Sequence, residues 1–154
     1  MRKILIFLVV VMIYTFSSNV ISDETVSYNS SYKGLKVRIS TYQDMINIFG
    51  PPIKSTSVKY YYPGVHVTIN SKTNTINTII IFDLSFVDVN GVSVGDEKVS
   101  VERALYERIN ENEILEMHGN IVVDKHNGII YWFKQNKVEK IVLAAKLLKN
   151  VRSN

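Results

Sequence analysis

Side chains able to do chemistry are thinly spread through this chain of 154 residues, and their spacing points away from catalysis. The three histidines, His66, His118 and His126, show neither i, i+2 nor i, i+4 pairing, the spacings that bring two imidazoles to one metal on a strand or helix. The tightest acid/base group is Glu113, Glu116 and His118, which could serve a hydrolase by proton transfer between carboxyl and imidazole. The same residues equally describe a charged, solvated helix end. Cysteine is absent, which excludes disulfide scaffolds, thiolate metal sites and cysteine nucleophiles. Gly91 and Gly95 lack the third glycine and the Lys-Ser/Thr of a phosphate-binding loop. No catalytic residue, metal ligand or cofactor is assigned on these grounds.

The aromatic residues carry more information. Tyr60, Tyr61 and Tyr62 are consecutive, so on a strand Tyr60 and Tyr62 share one face and Tyr61 takes the other. Tyr131-Trp132-Phe133 repeats the arrangement. Large rings on a flat sheet bury much area on binding at small entropic cost, which makes them good anchors for a protein partner. The expected partner-binding residues are Tyr61, Tyr62, His66 and Trp132; the competing account is cross-strand packing that only stabilises the sheet.

Charge narrows the class of partner. There are 18 Lys and Arg against 14 Asp and Glu, a net +4 that falls to +2 once Arg2 and Lys3 are set aside. A domain so nearly neutral lacks the concentrated basic face that nucleic acid requires. Arg2 and Lys3 precede an apolar run from Ile4 to Phe16, about 13 residues or about 20 Å as a helix, against a bilayer core of about 30 Å. A basic start, a short apolar stretch and a polar continuation describe a signal peptide over 1–22, with Asp23 to Lys33 as a flexible lead-in. An exported protein, periplasmic or extracellular, is expected.

Residues 34–154 are expected to form a single α+β domain of two related units, about 34–90 and 91–150. The first opens with alternation over Leu35–Ile39, then a capping box at Ser40 and Gln43. A helix follows with Tyr42, Met45, Ile46 and Phe49 on one stripe, stopped by Gly50-Pro51-Pro52. Strands are expected over Val58–Tyr62, Val65–Ile69 and Ile76–Phe82, with turns at Pro63-Gly64 and Ser71–Asn74. In the second unit Asp96 caps a helix that buries Val101, Ala104, Leu105 and Ile109, and the acidic stretch Glu111, Glu113, Glu116 prolongs or follows it. Strands over Asn120–Asp124, Ile129–Lys134 and Val138–Leu143 come next, linked at His126-Asn127-Gly128 and Gln135-Asn136. Two helix-plus-three-strand antiparallel units would form one sheet with both helices on one face, leaving the other face for binding.

The run Ser40-Thr41-Tyr42-Gln43-Asp44-Met45-Ile46-Asn47-Ile48-Phe49-Gly50-Pro51-Pro52, with Gly91-Val92-Ser93-Val94-Gly95-Asp96-Glu97-Lys98-Val99, resembles the SmpA/OmlA family of outer-membrane assembly proteins. The doubled unit is similar to the β-lactamase inhibitor protein. The resemblance covers most of the chain after Gly34, in pattern more than identity. It implies a protein-binding module and not an enzyme. Two departures stand out: that family usually carries a lipidated Cys after the leader and a single unit, whereas this chain has no Cys and reads as two units. The expectation is therefore an exported, non-catalytic binding or inhibitory module of a bacterial cell envelope, contacting a protein partner. Peripheral membrane association and self-association through a sheet edge stay open, and the alternative is an envelope hydrolase acting through Glu113, Glu116 and His118.

Overall fold

The computed structural model describes residues 30–109 and 115–144. The leader expected over 1–22, and residues 23–29 of the lead-in, lie outside them.

Among the described residues, two helices and one antiparallel sheet make a mixed α+β fold. In chain order the elements are α1 (Tyr42–Phe49), β1 (Lys54–Ser55), β2 (Lys59–Tyr62), β3 (Val65–Asn70), β4 (Thr75–Ile81), α2 (Lys98–Ile109), β5 (Leu115–His118), β6 (Ile121–Asp124), β7 (Ile129–Lys134) and β8 (Lys137–Ala144). The eight strands lie in the order β1-β2-β3-β4-β8-β7-β6-β5. Two four-stranded meanders thus meet at β4 and β8, instead of the expected runs of three.

The extra strands have clear origins. β1 is the short return of the chain after Pro51-Pro52, pairing Lys54 with Tyr61 and Ser55 with Tyr60. β5 takes the end of the acidic stretch expected to prolong or follow the helix: Glu116 pairs with Val123 and His118 with Ile121, while Glu111 and Glu113 lie outside the described residues. Neighbouring β6 supplies hydrogen bonds that an isolated acidic helix end would have to find in water, and tertiary pairing overrides local propensity there.

The start of the domain also differs from the expected strand. Lys33 (φ 49°) and Gly34 (φ 84°) turn the chain so that Tyr32 and Leu35 exchange backbone bonds of 3.0 and 2.9 Å. Arg38 takes φ 67° and breaks the extended run. Leu35 and Val37 nevertheless point into the core. Residues 30–33 are not a loose lead-in, because Tyr32 is buried between Phe86 (ring centroids 5.3 Å apart) and Phe49 (6.0 Å). Its hydroxyl donates to Asp83 Oδ2 at 2.9 Å.

Helix α1 begins one residue later than its sequence cue. Thr41, extended at φ −93° and ψ 173°, is the N-cap; its hydroxyl accepts the Asp44 N–H at 3.2 Å and Asp44 accepts the Thr41 N–H at 2.8 Å. Ser40 instead accepts the Lys36 N–H at 3.0 Å, and Gln43 donates to Asn47 at 2.9 Å. Gly50 ends the helix at φ 73° with its N–H on Ile46 O at 2.8 Å, a backbone state that disfavours any side chain. In the second half Asp96 does not cap α2, since its carboxylate accepts the Ser93 N–H at 2.8 Å. Val101 and Leu105 are buried as expected, but Ala104 is exposed.

Alternation along the strands divides the residues between two faces. Val65, Val67 and Ile69 of β3, Ile76, Ile79 and Ile81 of β4, Ile129, Tyr131 and Phe133 of β7, and Val138, Ile141 and Leu143 of β8 join Met45, Val101 and Leu105 in one buried cluster. Each fully buried aliphatic side chain there contributes about 1.5–3 kcal/mol. The turn at Gln135 (φ 52°) and Asn136 (φ 58°) puts both residues in the left-handed region, the geometry that suits a two-residue hairpin. Replacing Thr41 by Ala should lower stability in urea unfolding by about 1 kcal/mol, with the transition slope unchanged.

Candidate functional site

The face of the sheet turned away from this cluster carries the candidate surface. Strand register defines a continuous outward row, Lys54–Tyr61–His66–Ile80–Val142–Ile130–Val123, running from β1 to β6. The adjacent outward row includes Lys140, Trp132 and Ile121. Phe82, one residue beyond Ile81, joins it from the end of β4.

Three of the four expected contact residues share this face. Tyr61 meets His66 edge-on at 4.7 Å, and His66 meets Phe82 edge-on at 4.9 Å. Trp132 lies on the far side of β8, 38% exposed, with the Lys140 ammonium 4.4 Å from its ring centre. Tyr61 and Trp132 are separated by four strand-to-strand steps, about 19 Å. Between them the surface is low: Val142 and Val123 are only 8% and 7% exposed, and Ile80 and Ile130 are half-buried.

Tyr62 does not belong to this surface. It faces the opposite way with Tyr60, packs on Phe49 at 4.9 Å between ring centres, and donates its hydroxyl to Gly50 O at 3.2 Å. The alternation of the three tyrosines is as expected, but Tyr62 is on the core side. Phe82 is an addition that sequence reasoning missed, and the signal was there: it continues the period-two pattern of β4 on the side opposite Ile81.

For the alternative acid/base group, Glu116 and His118 lie two positions apart on β5 and Glu113 lies outside the described residues. Among the described residues no group of three His, Cys, Asp or Glu is arranged to hold a metal ion.

A second cluster, invisible in the sequence, sits where the 83–97 crossover meets the second meander. The Tyr131 hydroxyl makes a short hydrogen bond to Asp88 Oδ2, and Asp88 Oδ1 accepts the N–H groups of Asn90 and Val92, both at 2.8 Å. Asn90 Nδ2 donates to Asp124 Oδ2 and to the Tyr131 hydroxyl oxygen, each at 2.8 Å. Asn127 donates to Asp124 through its backbone N–H at 3.0 Å and its Nδ2 at 2.8 Å, and its own carbonyl accepts the Ser30 hydroxyl at 2.8 Å. Burial pushes the Asp88 carboxyl above its ordinary range, against the pull of the Tyr131 hydroxyl and the backbone donors. Burial and then the Asp88 charge push the Tyr131 phenol up, so it stays a proton donor. The hydrogen bonds that crosslink these loops make this a clamp that holds the crossover in place.

Asp83, at the start of that crossover, behaves oppositely. The Ser85 hydroxyl and N–H, followed by the Tyr32 hydroxyl, hold its carboxyl down at about 2. Burial alone pushes the His66 imidazole below its ordinary value, which favours the neutral ring.

No family model and no curated protein sequence matches the chain. Among solved structures it is similar in outline to a DUF4309 family protein, YjgB, from Bacillus subtilis, at 16% identity and a TM-score of 0.46 over 74% of this chain and 84% of that one. It is also similar to an extracellular protein containing an SCP domain from Bacillus anthracis, at 9% identity and a TM-score of 0.46 over 76% of this chain. The match spans 48% of that second protein's length.

Tyr131→Phe removes the donor to Asp88 and the acceptor for Asn90, leaving buried polar groups unsatisfied. It should cost about 1–3 kcal/mol in urea unfolding. His66 should add a pH dependence. Unfolded histidine binds its proton near about pH 6.5, while the folded ring stays neutral to lower pH. Stability from this residue is thus full above that value and is lost as pH falls through the folded pKa. Unfolding free energy measured between pH 5 and 7 should rise with pH, with a shallower slope in His66→Gln.

Proposed function

We propose that this protein is an exported, non-catalytic binding module of a bacterial cell envelope, and that the outer sheet face is its docking surface for a protein partner. The observation that carries this reading is the segregation of rings by strand parity. Tyr60 and Tyr62 go to the core side while Tyr61, His66, Phe82 and Trp132 go outward. Outward rings give the inner packing nothing, and they supply the large, rigid contact area that dominates binding energy at protein interfaces.

The compartment is drawn from the basic start and short apolar stretch of the leader. In this reading the two halves act as related helix-led units with both helices on one side, so that the second side is kept for the partner. Recognition is by shape and desolvation across a broad, shallow surface, with Tyr61 and His66 as one anchor and Trp132 as the other.

Trp132→Ala and Tyr61→Ala should each weaken capture of the partner from the native envelope at least tenfold, about 1.4 kcal/mol or more. Their melting curves should stay close to that of the unaltered protein. Melting curves that collapse with capture would assign the rings to fold stability and sink the docking role.

A further inference from the structure

The charge carried by the outer face goes beyond the presence of rings. Strands β1, β2, β3, β4 and β7 contain no Asp or Glu. Of the carboxylates on β6 and β8, Asp124 is buried on the core side and Glu139, at the bulge beside Trp132, is paired with Lys134 at 3.8 Å; Glu116 is on β5, three strands beyond Lys140 and outside the span from β1 to β8. Neighbouring lysines are similarly matched, Lys137 with Glu97 at 3.5 Å and Lys98 with Glu102 at 3.6 Å. Lys54 and Lys140 differ. Their ammonium groups lie over rings, Lys54 6.0 Å from the centre of Tyr61 and Lys140 4.4 Å from that of Trp132, with no carboxylate in ion-pair range among the described residues.

We infer that the partner segment docked on the outer face is acidic, a polypeptide stretch whose Asp or Glu carboxylates are received by the ammonium groups of Lys54 and Lys140. The inference rests on the outer face being a docking surface. A ring beneath each ammonium holds it by cation–π attraction and removes part of its hydration, which leaves its outward N–H groups ready for an anion at reduced desolvation cost. Lys54 on β1 and Lys140 on β8 are four strand steps apart, about 19 Å. An extended peptide rising about 3.3 Å per residue covers that distance in roughly six residues. Tyr61, His66, Phe82 and half-buried Ile80 lie along the way and offer apolar contact between the two charges.

Two other anionic partners fit less well. A sugar polymer would stack on ring faces, and an ammonium group already lies over one face of Tyr61 and one face of Trp132. A lipid surface would need apolar side chains that project into it, whereas Val142 and Val123 are recessed.

The chain has a single tryptophan, so fluorescence reports on this surface directly. Titrating the full chain with poly-L-glutamate should change the emission of Trp132. Lys140→Glu and Lys54→Glu should each raise the apparent dissociation constant at least fivefold, and Lys72→Glu, in the turn between β3 and β4, should change it less than twofold. No emission change, or an equal loss in Lys72→Glu, overturns the inference. Phosphatidylglycerol vesicles that alter the emission where poly-L-glutamate does not overturn it in favour of a membrane surface. Native partner kept by Lys140→Glu but lost by Trp132→Ala overturns the acidic character alone, while partner kept by both overturns the docking surface itself.

Discussion

Everything in this fold hangs on the seam where β4 pairs with β8. Thr78, Ile79, Ile80 and Ile81 lie opposite Ala144, Leu143, Val142 and Ile141, and that short ladder is the sheet's connection between the two meanders. Because side chains alternate, the seam fixes parity for all eight strands at once. Ile79, Ile81, Ile141 and Leu143 are essentially inaccessible to water, so a slip of one residue would turn them outward and bring Ile80 and Val142 in. The same slip would exchange Trp132 for Tyr131 and bury a lysine. The character of the outer face is therefore a consequence of core packing and is not set independently of it.

Apolar packing of this kind specifies a layer but not the path of the loops over it. That job falls to hydrogen bonds. The Asp88–Tyr131–Asn90–Asp124–Asn127 network joins the crossover to the second meander, and Tyr32 bonded to Asp83 joins the start of the domain to the same crossover. A phenol that keeps its proton and a carboxyl reluctant to ionise suit a largely buried site, and each such group is costly if its partner moves away.

Much of the scaffold was legible in the sequence because it follows from local rules. β7 occupies Ile129–Lys134 as read from its alternation, Pro63-Gly64 turns a hairpin, and Gly50-Pro51-Pro52 stops α1. Where tertiary pairing decides, the sequence misleads. Leu115-Glu116-Met117-His118 is made largely of good helix formers, yet β6 recruits it as an edge strand. Ser40 and Thr41 are both plausible caps, and the bond from Ser40 back to Lys36 leaves the role to Thr41. The tyrosine triplet reveals its parity but not its orientation; the ring of Phe49 decides that Tyr62 faces inward. The polar clamp spans separations of more than forty residues between Asp88 and Tyr131, which no local pattern can display.

The β1 border has a further consequence. It is two residues long, begins just after a pair of prolines that have no N–H to give, and carries Lys54. A flat border with a long row of free amide groups invites neighbouring molecules to add strand upon strand, the route to fibrils. Here the row is too short and too charged to template such growth, so a protein rich in Val and Ile strands can stay dispersed in a crowded compartment at this end of its sheet.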